Sequence, residues 1–570
     1  MLTPFLLAAI PLLVVYLIRE IHYRRFKQHA DLPQLQPSFI WGHLKAFNEF
    51  LSRGSPDRHV DYVFTEIKEA LGNPSVVFLD LRPVSYLMCI INGHEVAEQI
   101  SRSSKLFQWS TPKSPTLADL QRLTGPESLL NKEGEEWKTL RRRFNPGFAP
   151  QHLMTLLPCV LDKTWYFLGH LDSYARTGEV FGLDELCTNL TFDIIGAVTM
   201  DVDFDAQLGQ SRQSEFIDLY RKLILSYSGA YNNRIIPLNL RTQFYRWRLS
   251  RRIDQLLQSL IQQKFAEQRQ LGSSAKSRSV LSLSLQDTET LTPALVRQTC
   301  DQLKTFLFAG HDTTSILLQW VFYELSRTPR ALAAVRAELD DIFGPDSDPA
   351  VVRARLLAQG DEATRRMTYT SAVIKETLRL YPPAGTARMA PPGSGMMVRL
   401  PETGAEVCLD GIVLYNCATI VQRDRAVFGD SADDFVPERW LGNTDTSMST
   451  NGGGDGLEEK AGGEDGRGGG GRVPASAWRP FERGPRNCIG QELANLEARV
   501  ILACVLRRYD FVKVGLGESV LDEKGLPVVN GKGQYEVKAE LYSTNQITSK
   551  PVDGTKVRVK LSPTASGNLS

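Results

Sequence analysis

The chain has 570 residues, 42% of them hydrophobic and 23% charged, and its formal net charge is only +1. That balance supplies a large apolar core, excludes an intrinsically disordered chain and gives no global positive field of the kind that holds nucleic acid. Eight cysteines scattered without a CxxC pair exclude a disulfide framework or a zinc site of the usual spacing and point to a reducing compartment.

The first element is apolar. Leu2–Ile18 (LTPFLLAAIPLLVVYLI) carries no charge and runs into Arg19, Arg24, Arg25 and Lys27. About 17 to 25 apolar residues cross a bilayer as a helix, so residues 1–18 are expected to form a transmembrane anchor. A cleaved signal peptide would need a basic start and a small-residue cleavage site, and neither is evident. The basic flank lies on the C-terminal side only, which predicts that the bulk of the chain stays in the cytosol. Residues 19–55 read as a basic, proline-containing linker, residues 56–560 as a single catalytic domain and residues 561–570 as a tail.

Within that domain helices dominate. VDYVFTEIKEALG, PQHLMTLLPCVLDKTWYFLGHLDSYA and RTQFYRWRLSRRIDQLLQSLIQQKFAEQRQ place apolar residues at three- and four-residue spacing. Strand-like runs appear early (SVVFLDL, SYLMCIING) and late (YEVKAELY, KVRVKL), giving a mostly α, α+β class. After the polar breaks GSSAKSRS and SLSLQDTETLTP, Thr292-Pro293 is an N-cap followed by proline in the first turn. The helix it opens should stop before Pro329, roughly 50 Å away at 1.5 Å per residue. Its middle is apolar all round apart from His311, Asp312, Thr313 and Thr314, so it is a core helix with a polar break. Glu376 and Arg379 stand three apart on one helical face and can pair. Residues 442–472 are glycine-rich and nearly without apolar side chains, so they are expected to form a disordered insertion in a folded unit.

The stretch FERGPRNCIG, Phe481 to Gly490, precedes another helical-looking run, QELANLEARVILACVLRRYDF. A lone cysteine is more often a small buried hydrophobe than a ligand. Here Gly484 and Gly490 permit close backbone approach, Pro485 stiffens the loop, Arg486 suits a carboxylate, and the following helix N-terminus favours a thiolate at Cys488. This frame describes a thiolate held against a planar, carboxylate-bearing cofactor.

Phe481, Gly484, Arg486, Cys488 and Gly490 match the haem-binding signature FxxGxRxCxG, and the chain resembles the cytochrome P-450 family. AGHDTT (Ala309–Thr314) is similar to the oxygen-binding motif of the family's central I helix, and ETLR (Glu376–Arg379) to the ExxR motif of helix K. FVPERW (Phe435–Trp440) is similar to the PER region, and Trp137 with Arg141 to the WxxxR of helix C. The surrounding sequence looks most like membrane-bound, microsomal-type enzymes of filamentous fungi. The resemblance implies the P-450 fold, a helical bundle with small β-hairpins, and haem (heme b, iron protoporphyrin IX) ligated axially by Cys488, with Phe481 beside it. Its propionates would be held by Trp137, Arg141, Arg388 and Arg486. Glu376, Arg379 and Arg439 would form a buried scaffold, and Asp312 and Thr313 would deliver protons beside a notch made with Gly310. Substrate contacts are expected from Phe107, Trp109 and Leu117, from Phe306 and Ala309, from Pro383–Thr386 (with Ala384 and Thr386) and from the hairpin near Ser543. These are mainly apolar and suit a lipophilic molecule.

The implied activity is a haem-thiolate monooxygenase of the endoplasmic reticulum membrane, single-pass with a cytosolic catalytic domain. It would use O2 and NADPH-derived electrons from a separate cytochrome P-450 reductase, with cytochrome b5 as a further donor and no nucleic acid as partner. Hydroxylation of a hydrophobic secondary metabolite is the leading reading. Fatty-acid, alkane or xenobiotic hydroxylation and an O2-independent isomerase are alternatives, as is a haem-binding sensor or carrier.

Overall fold

Thr292 accepts a hydrogen bond from the Leu295 amide at 3.2 Å, and the 35-residue helix Pro293–Arg327 that this cap opens forms the axis of the fold. It ends ahead of Pro329, which starts the helix Pro329–Phe343. In the computed structural model, residues 2–209, 213–227, 240–271, 278–442, 473–544, 546–563 and 565 are described. The long helix is buried along most of its length, from Val296 to Leu325. It lies against the Leu183–Met200 helix, where Gly310 allows close approach: a Cβ there would sit 2.6 Å from Ile195 Cδ1. Gly310 thus serves the packing of these two helices.

The other helices follow the apolar spacing. Val60–Ala70 and Leu240–Leu271 form where the pattern predicts them, and the run from Pro150 divides into Pro150–Thr155 and Leu157–Thr177 because Pro158 restarts it. A four-stranded sheet has the order Val76–Asp80, Leu87–Ile91, Val413–Asn416, Thr386–Arg388, with the central pair parallel and both outer pairs antiparallel. A second sheet joins Phe181–Gly182, Lys556–Leu561 and Tyr509–Lys513, and Met397–Arg399 pairs with Glu406–Cys408. The architecture is the mostly helical α+β one read from the sequence.

Two sequence readings need correction. The helical run after Cys488 ends at Val505, and Tyr509–Lys513 is a strand whose buried residues alternate with less buried ones, the period of a pleated segment. YEVKAELY forms no strand; Tyr535 and Val537 make only isolated bridges.

The N-terminal reading also changes. Leu2–Phe26 is one 25-residue helix, yet among the described residues no helix is long and apolar enough to cross a membrane. Arg19, Glu20, Arg24 and Arg25 charge its second half, and the side chains before Ile10 lie outside the described residues. The segment behind this helix is not a free linker. Arg25 pairs with buried Asp80 at 2.5 Å and donates to the Ile40 and Arg82 carbonyls. His43, fully buried, accepts from the Asp80 amide at 2.7 Å and binds the Leu35 carbonyl at 2.7 Å. The glycine-rich segment 443–472 lies outside the described residues.

Candidate active site

The Cys488 loop closes on itself before the Gln491–Val505 helix begins. The Cys488 amide donates to the Phe481 carbonyl at 2.9 Å, and the Asn487 amide to that of Gly484 at 3.1 Å. Gly484 has φ +77°, and a Cβ there would lie 2.1 Å from the Ser101 carbonyl oxygen, so only glycine lets the loop press onto the His94–Ser101 helix. Cys488 is exposed, whereas Cys89, Cys187, Cys300, Cys417 and Cys504 are buried. The sulfur is open to a small molecule but surrounded at longer range by protein. That surround pushes the thiol pKa up, against the pull of the Gly490 and Gln491 amides, Arg141 and Lys113. A coordinated metal would reverse the balance, because a metal-bound thiol is deprotonated outright.

Beside the loop is a cluster of cations. Arg388 is wholly buried, and its Nη1 donates to Ser110 Oγ at 2.9 Å and to the Thr111 carbonyl. Its Nε and Nη2 have no hydrogen-bond partner among the described residues. Arg486 pairs with Glu133, donates to the Leu129 carbonyl and lies 4.8 Å over the Trp137 ring; burial brings its pKa down to about 10. Lys113 bridges to Arg388 through the backbone, and burial together with Arg388 and Arg486 holds its ammonium far below the ordinary lysine range. Buried donors without partners are rare and costly, and two carboxylates of a cofactor would satisfy them. An open thiol and these unpaired guanidinium nitrogens fit a haem. Arg141 is committed elsewhere: it donates to the Asn487 carbonyl at 2.7 Å, to Asn487 Oδ1 at 3.0 Å and to Asn145 at 2.8 Å, so it braces the cysteine loop.

On the long helix Thr313 Oγ1 donates back to the Ala309 carbonyl at 2.7 Å, loosening the ladder at the polar break. Ala309 is exposed although its helix is otherwise mostly buried, so the surface opens there. Asp312 points toward the C-terminal segment. Lys550 Nζ lies 2.8 Å from Asp312 Oδ1, and the Thr548 hydroxyl donates to Oδ2. Burial opposes charge on Asp312, but Lys550, His311 and the Thr548 hydrogen bond outweigh it and hold the carboxyl below its ordinary range. Lys550 reaches on to Asp184 at 3.3 Å.

Glu376 and Arg379, both fully buried, share two hydrogen bonds of 2.8 and 2.9 Å. The Glu376 carboxylate also accepts from Arg439 Nε at 3.0 Å, from Trp440 Nε1 at 2.9 Å and from the Val436 amide at 2.9 Å. The remaining donors of Arg379 go to the Gln422, Ala432 and Asp434 carbonyls. The Glu376 carboxylate and the Arg379 guanidinium are committed to structure, which makes this a scaffold and leaves no free carboxylate for chemistry in this pair.

The expected substrate residues divide. Ala309 and Ala384 are exposed. Phe306 is not: its ring stands edge-on to Phe144 and Phe148 at 5.3 and 5.1 Å, buried in the core. Phe107 packs on the sheet-side apolar cluster, Trp109 lies 5.9 Å from the Trp137 ring, and Thr386 gives its hydroxyl to Glu482. Leu117 is half-buried in the short turn Pro115–Leu120. Ser543 is tied to His59 and Tyr62, and it is Thr548 further along that reaches the long helix. Lys113, Glu482, Thr548 and Lys550 are not legible as site residues in the sequence: Glu482 fills an unspecified position of the cysteine-loop signature, and the other three lie in irregular segments without periodic or motif signal.

The cytochrome P450 family profile matches residues 33–539. Cytochrome P450 monooxygenase acrF of Aspergillus aculeatus is 31% identical over 474 residues, covering 81% of this chain and 89% of that protein. Cytochrome P450 monooxygenase polC of Polytolypa hystricis is 28% identical, covering 90% and 88%. Cytochrome P450 monooxygenase FUM15 of Gibberella moniliformis is 27% identical, covering 83% and 79%.

Proposed function

The chain belongs to the cytochrome P450 family and is a cytochrome P450 monooxygenase with a haem-thiolate cofactor, and we propose that it inserts one oxygen atom into a hydrophobic metabolite of fungal secondary metabolism. The observation that carries the site reading is the open Cys488 thiol beside Arg388, whose Nε and Nη2 are unpartnered among the described residues. Exposed Ala309 and Ala384 support an apolar substrate, and the similarity to fungal monooxygenases supports the setting.

When bound, the haem supplies O2 activation, with the thiolate's electron donation favouring O–O cleavage. Cys488 would hold the iron, and Arg388, Lys113 and Arg486 would hold the carboxylates. Thr313 Oγ1 keeps its proton on the Ala309 carbonyl at rest and must rotate to pass it on. Asp312, held as a carboxylate by Lys550, accepts a proton before it can give one. Protons would therefore enter from solvent along Asp184 and Lys550, general acid–base groups being worth about 10²- to 10⁴-fold.

Electrons would come from NADPH through a separate cytochrome P450 reductase, with cytochrome b5 as a second donor. The helix Leu2–Phe26, whose Leu12 and Tyr16 are 72% and 61% exposed, would attach the protein to the endoplasmic reticulum membrane with the catalytic domain in the cytosol. The test uses purified full-length protein with reductase. Wild type should show the red-shifted band of the reduced carbon-monoxide complex, and Cys488→Ser should lose it. NADPH consumption and a new oxygenated product from a library of lipophilic metabolites support the reading. Haem binding without NADPH consumption overturns it in favour of a sensor or carrier.

A further inference from the structure

Glu482 stands in the cysteine loop at φ +58°, a left-handed conformation that strains any residue with a Cβ and that glycine adopts freely. Sequence and backbone conflict here, so the side chain must return something. Its carboxylate, with the side chain only 6% exposed, is enclosed by donors from separate parts of the fold. Arg479 Nη2 donates to Oε1 at 2.6 Å, and so does Ser101 Oγ at 3.0 Å, from the end of the His94–Ser101 helix. The Thr386 hydroxyl and Asn416 Nδ2, at 3.1 Å, donate to Oε2 from the two adjacent strands Thr386–Arg388 and Val413–Asn416. The Arg483 amide closes the loop onto Oε1 at 3.2 Å.

The placement matters because of what the two sides carry. Thr386 is two residues before Arg388, the cation with unpartnered nitrogens among the described residues, and Glu482 is in the same short loop as Cys488. A single carboxylate therefore clamps the strand that presents the carboxylate-binding cation to the loop that presents the iron ligand. It also adds fixed negative charge within the Arg388–Lys113–Arg479 cluster. Those cations, outweighing the cost of burial, bring the Glu482 pKa down to about 2, so the charge persists at neutral pH.

We propose that Glu482 is a positioning residue for the haem: it sets the register of the Cys488 loop against the Thr386–Arg388 strand, and its charge lowers the reduction potential of the bound iron. The proposal rests on the haem-thiolate reading. Glycine at this position would relieve the backbone but release the strand, so ease of folding and haem retention should move in opposite directions.

The experiment compares haem-loaded wild type, Glu482→Gln, Glu482→Gly, Thr386→Val and Thr386→Ser, with no substrate needed. Haem transfer to excess apomyoglobin should accelerate roughly 10-fold or more in Glu482→Gly and Thr386→Val, the usual scale for loss of an outer-shell partner. Thr386→Ser should behave as wild type. Reductive titration should place the midpoint of Glu482→Gln positive of wild type, while Thr386→Val, which keeps the charge, stays within error of wild type. If Glu482→Gln fails to fold, Thr386→Val against Thr386→Ser decides the clamp and Glu482→Gly decides the potential. Unchanged haem transfer in both Glu482→Gly and Thr386→Val overturns the clamp, and an unchanged midpoint in the charge-removing variants overturns the electrostatic part. Either failure in protein that still shows the thiolate band sinks this inference alone; absence of the band in wild type would sink the haem-thiolate reading.

Discussion

Replacing Lys550 by methionine tests how Asp312 is held. The change keeps most of the aliphatic stem and removes the charge 2.8 Å from a carboxylate that is 4% exposed. Removing one partner of a buried ion pair costs about 3–5 kcal/mol when the other charge stays buried. Asp312 has an escape, which is to take a proton. With an ordinary aspartate pKa of about 3.9, that costs about 1.4 kcal/mol per pH unit, hence about 4 kcal/mol at pH 7 and about 1.5 kcal/mol at pH 5. At neutral pH the two routes are comparable, and at pH 5 protonation wins. The second partner, Asp184, has a side chain 34% exposed and adds little. In the wild type Asp312 is depressed, so its contribution is fully present above the ordinary carboxylate range and is lost only as pH falls below it. In the variant Asp312 is raised, so the penalty grows as pH climbs from the unfolded value toward the new folded one. The gap between the two proteins should thus be about 3–4 kcal/mol at pH 7 and shrink to about 1.5 kcal/mol at pH 5. Urea unfolding followed by far-ultraviolet circular dichroism at both pH values measures it. A gap below about 1 kcal/mol at pH 7, or one that widens toward acid, refutes the argument that Lys550 compensates a buried charge.

Thr313→Ala should keep haem and the thiolate band while diverting electrons to hydrogen peroxide, read as peroxide released per NADPH consumed; unchanged coupling would reduce Thr313 to helix packing. Arg379→Lys cannot supply the fork that binds Glu376 and three carbonyls, so haem-loaded yield should collapse, with a stability loss of about 3–5 kcal/mol in whatever protein is recovered. Normal yield would remove this pair from the scaffold. Shortening residues 442–472 to a brief Gly/Ser linker should leave haem content nearly intact, since closure entropy changes by about 0.6 kcal/mol per doubling of loop length; loss of haem would give that segment a packing role.

The parts of the site that lie close together in the chain are legible in the sequence. Glu376 and Arg379 share one helical face, Thr292-Pro293 announces its helix, and the glycines around Cys488 state the turns they make. What stays hidden depends on contacts between distant segments. Thr548 meets Asp312 across 236 residues of sequence, and nothing around it signals an element. Lys113 and Glu482 acquire meaning only from the cations that the fold collects around them. Phe306 reads as a substrate residue because it shares a helix with Ala309, but which way a side chain turns is settled by the rings of Phe144 and Phe148. The strand Tyr509–Lys513 is hidden because apolar residues continue toward it from the helix ending at Val505. The extent of the folded body before residue 56 is concealed by its prolines and charges, which resemble those of a spacer.

The junction at Arg25 has a practical consequence for producing the enzyme without its apolar leader. Asp80 sits at the end of an edge strand, and Arg25 and Arg82 share its carboxylate at 2.5 and 2.8 Å. A deletion ending before Tyr23 would keep that clasp, along with the carbonyls of Ile40 and Arg82 that Arg25 holds. A deletion reaching Pro37 would remove Arg25 and the Leu35 carbonyl that orients His43, leaving the strand end fraying into solvent. Residues 23–43 are therefore best treated as the first piece of the enzyme, and the point at which to shorten the chain lies upstream of them.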